Sequence, residues 1–205
     1  MNSRQARLAV IRGGMTNPKE ERAKHDHYCT PKCAVDALLA EVGFEGSILE
    51  PACGPHGFVI RCLRQAGYRV TGSDIQRIPA EFGRSNVDFI QEKFSRVDNV
   101  VTNPPYSLAT EFLRKSASIA RRKVALLTRL TWFEGPSRYR LLSEFKPELI
   151  LVLSRRLPFQ TADGTWKTQG ASFSHAWLVW DFSKLTTKTE FRLHLNENKT
   201  IHPPS

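Results

Sequence analysis

Ser47-Ile48-Leu49-Glu50-Pro51-Ala52-Cys53-Gly54-Pro55-His56-Gly57 is the stretch on which the fold turns. It opens as an apolar, β-prone run, passes through a turn of prolines, small residues and two glycines, and leads into residues 58–66, whose apolar positions recur at helical spacing up to Gly67. Residues 68–73 then read as a second strand, so the whole is predicted to be a strand–helix–strand unit. An acidic residue at the head of such a turn repels a diphosphate. It suits a ligand with a cationic amino-acid end, whose nucleoside part could approach the glycine backbone closely.

The same alternation continues on either side. Thr30-Pro31 reads as an N-cap followed by proline at the first helical position, with Val35, Leu38, Leu39 and Val42 spaced as a helix. Downstream, strands are expected at 86–90, 97–102, 124–127 and 149–153, and helices at 107–120 and 136–145. Arg121, Arg122 and Lys123 are expected to close the first of these helices against its dipole. Residues 171–182 are apolar on both faces, as a strand between two layers should be. Such alternation predicts an α/β, mostly parallel sheet with helices on both faces, whose ligands bind beyond the carboxyl ends of the strands. Residues 1–24 are polar, basic and aperiodic and are expected to form an arm, leaving 25–205 as one domain.

Composition narrows the partners. Of 205 residues, 40% are apolar and 24% charged, enough to bury one core, and the net charge is +10. That balance favours a polyanion, and its cationic pairs cluster late: Arg114-Lys115, Arg121-Arg122-Lys123, Arg138-Tyr139-Arg140 and Arg155-Arg156. No run is long enough to cross a bilayer, and the arginines at 4, 7 and 12 interrupt any signal-peptide core. Four cysteines make no disulfide framework and fit a reducing cytosol.

Two more strand ends carry chemistry. Asp74, about 20 residues after the glycine turn, could accept hydrogen bonds from two ribose hydroxyls; a plain surface turn is the alternative. Asp88-Phe89 could hold an exocyclic amine and cover a purine face. After the run at 97–102 stands Asn103-Pro104-Pro105-Tyr106. The Asn103 side-chain oxygen and the Pro104 carbonyl can each accept one hydrogen of a planar amino group, drawing its nitrogen toward the pyramidal geometry a nucleophile needs. Proline fixes φ and holds Asn103 extended, so both acceptors are set in advance, and Tyr106 offers a face for stacking. His25, His27, Cys29 and Cys33 could suggest zinc, but His-x-His-x-Cys-x3-Cys is not a usual ligand spacing, and no metal is expected.

Taken in order, His27-Tyr28-Cys29-Thr30-Pro31, residues 48–57, 70–75, Asp88-Phe89 and Asn103 to Tyr106 resemble the S-adenosylmethionine-dependent DNA adenine-N6 methyltransferases, above all small phage and prophage members. The resemblance runs from about residue 25 to 182 and implies a Rossmann-like, seven-stranded sheet whose last two strands form an antiparallel hairpin, 171–182 with 191–195 or an earlier partner. It implies that Tyr28, Thr30, Pro31, Glu50, Ala52, Cys53 and Gly54 serve the methionine end and turn of the cofactor, Asp74 its ribose, and Ile75, Asp88 and Phe89 its adenine. Asn103, Pro104, Pro105 and Tyr106 would hold the target base. His56 stands where that family has a glycine, with Gly57 one position later. No recognition domain is expected, since 23 residues follow Phe182, so contacts would come from the loops 132–140 and 155–170, with Trp132, Trp166 and Phe173 as stacking candidates. The implied partner is nucleic acid, DNA before RNA, in the cytoplasm of a bacterium or infected host, with no membrane and no obligate protein partner. Methylation of a protein glutamine and a non-catalytic binding module are the remaining alternatives.

Overall fold

The computed structural model describes residues 29–160, 165–167, 173–185 and 188–194. In chain order these form α1 (Lys32–Glu41), β1 (Ser47–Glu50), α2 (Phe58–Gln65), β2 (Arg69–Ser73), β3 (Gly83–Arg84), β4 (Val97–Thr102), α3 (Ala109–Ile119) and β5 (Ala120–Arg129). Then come α4 (Pro136–Glu144), β6 (Leu149–Leu153), a short β7 (Phe159–Gln160) and β8 (Trp166–Lys167), β9 (His175–Asp181) and β10 (Glu190–His194). Single 3-10 turns lie at Tyr106–Leu108 and Leu130–Phe133.

Eight strands form one sheet in the order β10-β6-β9-β5-β4-β1-β2-β3. All neighbours are parallel except β9, which runs against both β5 and β6. The expected α/β sheet with helices on both faces is therefore present, with eight strands rather than seven. The partners of β9 are β5 and β6, and the segment at 190–194 instead adds a parallel edge strand to β6.

Side-chain alternation explains the two cores. Ile48, Val101, Leu127, Leu151 and Trp177 point to the face covered by α1 and α2, where Leu38, Ile60 and Leu63 meet them. Their neighbours Leu49, Val100, Leu126, Leu178 and Trp180 point to the opposite face, against Phe112, Leu113 and Leu141 of α3 and α4. Both indoles are satisfied: Trp177 donates to the Ala34 carbonyl (2.7 Å) and Trp180 to that of Phe145 (2.9 Å). Buried Asn99 ties three strands together, donating to the Glu45 and Ser47 carbonyls and accepting the Lys123 N–H.

Several local expectations are corrected. Residues 86–90 form no strand: Asn86 is left-handed (φ 57°), the Val87 N–H goes to the Asp74 carbonyl (2.9 Å), and Asp88 caps the N–H groups of Ile90 and Gln91. Short-range side-chain bonding has displaced a ladder there. Arg121, Arg122 and Lys123 lie in β5 rather than at a helix end, because α3 stops at Ile119 and the chain becomes extended at Ala120. Pro31 is the residue flanking α1, and Thr30 makes no cap. The strand expected at 171–182 spans His175–Asp181, and residues 171 and 172 lie outside the described residues, as does the basic arm.

Candidate functional site

Strands β4, β1 and β2 are neighbours, and their carboxyl ends bring Asn103, Glu50 and Asp74 to one rim. Beyond that rim lies a cavity whose wall includes Thr30, Ala52, Cys53, Gly54, Asp74 and Asn103. Ile75, Asp88, Phe89 and Pro105 also face it. Thus ten of the fifteen residues singled out from sequence share one cavity. Glu50, Pro31 and Pro104 are buried and do not line it, nor does Tyr106, and Tyr28 lies outside the described residues.

Glu50 is wholly buried. Its Oε1 accepts the Thr102 hydroxyl at 2.7 Å, whereas Oε2 is buried with no hydrogen-bond partner among the described residues. Burial drives its carboxyl well above the usual range; the Thr102 hydroxyl and Ala52 backbone oppose this, and nearby Asp74 adds to it. Such a group is primed for a cation. The same environment pushes the Cys53 thiol up to about 12, chiefly through burial and then through Glu50 and Asp74, which leaves it an inert packing group.

Asp74 is more occupied than its sequence position suggests. One carboxylate oxygen accepts the Gly54 N–H at 2.8 Å and the other the Gln76 N–H at 2.8 Å. It therefore clasps the glycine turn to the end of β2, and each oxygen keeps one lone pair for a ligand hydroxyl. The turn itself has left-handed glycines at Gly54 (φ 63°) and Gly57 (φ 55°), the latter opening α2. His56 sits between them, exposed, its ring 5.5 Å from that of Phe58, so Gly57 supplies the backbone conformation that His56 could not readily adopt. Asp88 is exposed and engaged in its own turn, and Phe89 is a core residue packed on Phe112 (5.0 Å), with part of its surface on the cavity.

Asn103 is aligned by a residue from the far end of the chain. Its Nδ2 donates to Thr30 Oγ1 at 3.0 Å, which fixes the amide plane, and its Oδ1 is buried. Sequence reading gave Thr30 a capping role; here its hydroxyl orients the amide instead.

Tyr106 turns to a second set of groups. The Arg129 guanidinium carbon lies 4.4 Å from the Tyr106 ring centre and 4.0 Å from that of Phe173, and the His175 ring is 5.9 Å from Tyr106. Burial first, and Arg129 second, push His175 down to about 4, so it is neutral at physiological pH. Sequence reading missed Arg129 and His175, because neither belongs to a motif and their meeting depends on the β5–β9 register, which pairs them. Of the stacking candidates, Phe173 is 40% exposed beside this cluster. Trp132 is buried under Arg138, and Trp166 packs edge-on against Phe58. Among the described residues no metal-ligating cluster is present; His25 and His27 lie outside them.

No protein-family model matches the sequence, and no curated protein matches it. Solved structures do. A type I restriction-modification methyltransferase subunit from Streptococcus thermophilus superposes with a TM-score of 0.54 at 13% identity, over 82% of this chain and 47% of that one. A predicted O-methyltransferase from Agrobacterium tumefaciens gives 0.55 at 13% identity, over 85% and 92%. The fold is a methyltransferase fold. A candidate RNA methyltransferase from Pyrococcus horikoshii shares it, with a TM-score of 0.52 at 17% identity over 88% and 97%. The chain spans about half the length of the restriction-modification subunit. No helix among the described residues is long and apolar enough to cross a membrane.

Proposed function

We propose that this chain transfers a methyl group from S-adenosylmethionine to the exocyclic N6 amine of adenine in DNA. The observation that carries the reading is the position of Asn103, held by Thr30 on the wall of a cavity that Asp74 shares and that Glu50 backs. The donor set suits the cofactor. The unpartnered Glu50 Oε2 answers a cationic amino-acid end, the remaining lone pairs of Asp74 a pair of ribose hydroxyls, and the surfaces of Ile75 and Phe89 a purine ring. When bound there, S-adenosylmethionine supplies an electrophilic methyl group on a sulfonium.

The chain's own residues do the rest. Asn103 Oδ1 and the Pro104 carbonyl accept the two hydrogens of the adenine amine, so its lone pair leaves conjugation and turns toward the cavity. Backbone restriction by Pro104 and Pro105 keeps these acceptors in place without reorganisation. No side-chain base is needed, since the nitrogen becomes acidic only once alkylated and its proton passes to water. Tyr106 and the exposed Phe173 flank the place for the ring, which requires an adenine that has left its stack. Cationic Arg138 and Arg140 on α4, beside a Tyr139 that is 75% exposed, give the phosphate backbone a surface at the same end of the sheet.

RNA is the second reading, favoured by the likeness to the candidate RNA methyltransferase along almost all of that protein's length. Transfer of labelled methyl groups to duplex DNA, single-stranded DNA, total RNA and protein distinguishes the acceptors. Label found as N6-methyladenine in DNA supports the proposal; label found only in RNA or in glutamine overturns the substrate, and no label in any of the four overturns the reaction.

A further inference from the structure

We infer that Arg129 is a placeholder for the target base: its guanidinium stands against Tyr106 and Phe173 in the free protein and must be displaced by a ring system of comparable face, which selects nucleobases over a side-chain amide. The identity of the displacing ring rests on the function proposed above; the displacement itself does not.

The geometry is specific. A single planar, delocalised cation lies 4.0 Å from one ring centre and 4.4 Å from the other, so the two aromatic centres are within about 8 Å of each other. Arginine can do this because its guanidinium is weakly hydrated and stacks on aromatic faces, whereas a lysine ammonium would keep its water. Three segments meet here: the turn after β4 brings Tyr106, the end of β5 brings Arg129, and the approach to β9 brings Phe173. The backbone beneath is fixed, with Arg129 opposite His175 and the Leu130 N–H bonded to the Ser174 carbonyl at 2.9 Å. Withdrawal of the Arg129 side chain would leave this backbone pairing intact.

None of Tyr106, Arg129 and Phe173 lines the cavity that Asp74 and Asn103 share. The aromatic slot is therefore separate from the wall of that cavity, and Tyr106 stands three residues along the chain from Asn103. In the free protein that slot contains Arg129. A ligand must replace the contacts the guanidinium loses. A purine offers two fused rings for this. A glutamine amide offers one small plane and cannot cover both aromatic faces, so the same residue that delays a base excludes a protein side chain.

The test is binding of 2-aminopurine riboside, a purine nucleoside without phosphate whose fluorescence is quenched on stacking, to the parent, Arg129→Gln and Arg129→Gln/Tyr106→Leu. The single variant is expected to bind about three- to tenfold more tightly than the parent, as the competing cation is gone. Removing Tyr106 as well should cancel the gain, and N-acetylglutamine amide should compete with neither. Equal or weaker binding by Arg129→Gln, or no binding by any of the three, overturns the inference. If that variant melts well below the parent, Arg129→Lys, which keeps the charge and loses the planar face, carries the same expectation. Methyl transfer to adenine is measured on the same preparations: tighter binding without transfer defeats the proposed reaction and upholds the placeholder, and transfer without tighter binding does the reverse.

Discussion

Replacing Glu50 by glutamine should stabilise the free protein and cripple its hold on the cofactor, and the sizes of both effects follow from its burial. The carboxyl is fully enclosed, with one oxygen bonded to Thr102 and the other without a partner. Its pKa in the folded state lies well above the ordinary 4.5, so between the two values the folded protein binds more protons than the unfolded chain. Stability therefore falls as pH rises above the ordinary carboxylate range and continues to fall up to the folded-state value. At pH 7 the cost has a ceiling, because protonation is always available as an exit: about 1.4 kcal/mol for each unit above 4.5, or about 3 kcal/mol. Glutamine keeps the shape and the acceptor for Thr102 while removing the charge, so the variant should gain roughly 1–3 kcal/mol at pH 7, several degrees of melting temperature, and much less at pH 5. Binding of a cation reverses the balance. It requires the ionised form, so cofactor affinity of the parent should rise with pH by up to about tenfold per unit, and Glu50→Gln should lose roughly 30- to 1,000-fold. Thermal melts of parent and variant at about pH 5 and pH 8, with calorimetric titration of S-adenosylmethionine, measure all of this. A variant that melts with the parent at both pH values and binds the cofactor equally well would refute the assignment of Glu50 as the buried counter-charge.

Three further outcomes are expected. Asn103→Ala should lower methyl transfer by about 10²–10³ while cofactor affinity stays within about threefold, since in the proposed reaction the amide serves the acceptor amine; single-turnover kinetics and calorimetry separate the two, and unimpaired transfer defeats the role. Asp74→Ala leaves the part-buried N–H groups of Gly54 and Gln76 without their acceptor, so it should cost about 1 kcal/mol of stability and weaken the cofactor at least about tenfold, both read from melting with and without ligand. Gly83→Ala should destabilise by about 3 kcal/mol or more, because its Cβ would stand 1.9 Å from the Gly72 carbonyl oxygen at a backbone φ of 147°; a denaturant melt within 1 kcal/mol of the parent would show that β3 shifts freely.

Strands legible in the sequence were those whose residues face a core on both sides. Residues 47–50, 97–102 and 149–153 stand where Ile48-Leu49, Val100-Val101 and the run 149–153 place them, because consecutive apolar residues suit a parallel strand covered on both faces. The errors fall where side chains bond to nearby backbone or where charges sit on a strand. Asp88 capping Ile90 and Gln91 removed an expected strand, and Arg121 to Lys123, read as the close of a helix, extend β5. The antiparallel partner of β9 stayed open between 191–195 and an earlier strand, and the earlier strands β5 and β6 take that place, because pairing partners follow from crossovers, which no local pattern encodes.

The cavity side of the site was legible because its parts sit at successive strand ends, where the topology of an α/β sheet must bring them together. What could not be read is the means by which those parts are oriented. Thr30 looks like a helix cap in sequence, and only the packing of α1 across the sheet turns its hydroxyl to Asn103, 73 residues away. Arg129 looks like one more cation in a basic chain, yet the register of an antiparallel strand sets it opposite His175, where its guanidinium meets the ring of Tyr106. Motifs name the groups that touch a substrate, since chemistry restricts which residues can do so. The groups that aim them can be any residue the fold delivers with a hydroxyl, an amide or a planar cation, and for that reason the second set is visible only once the strands are in register.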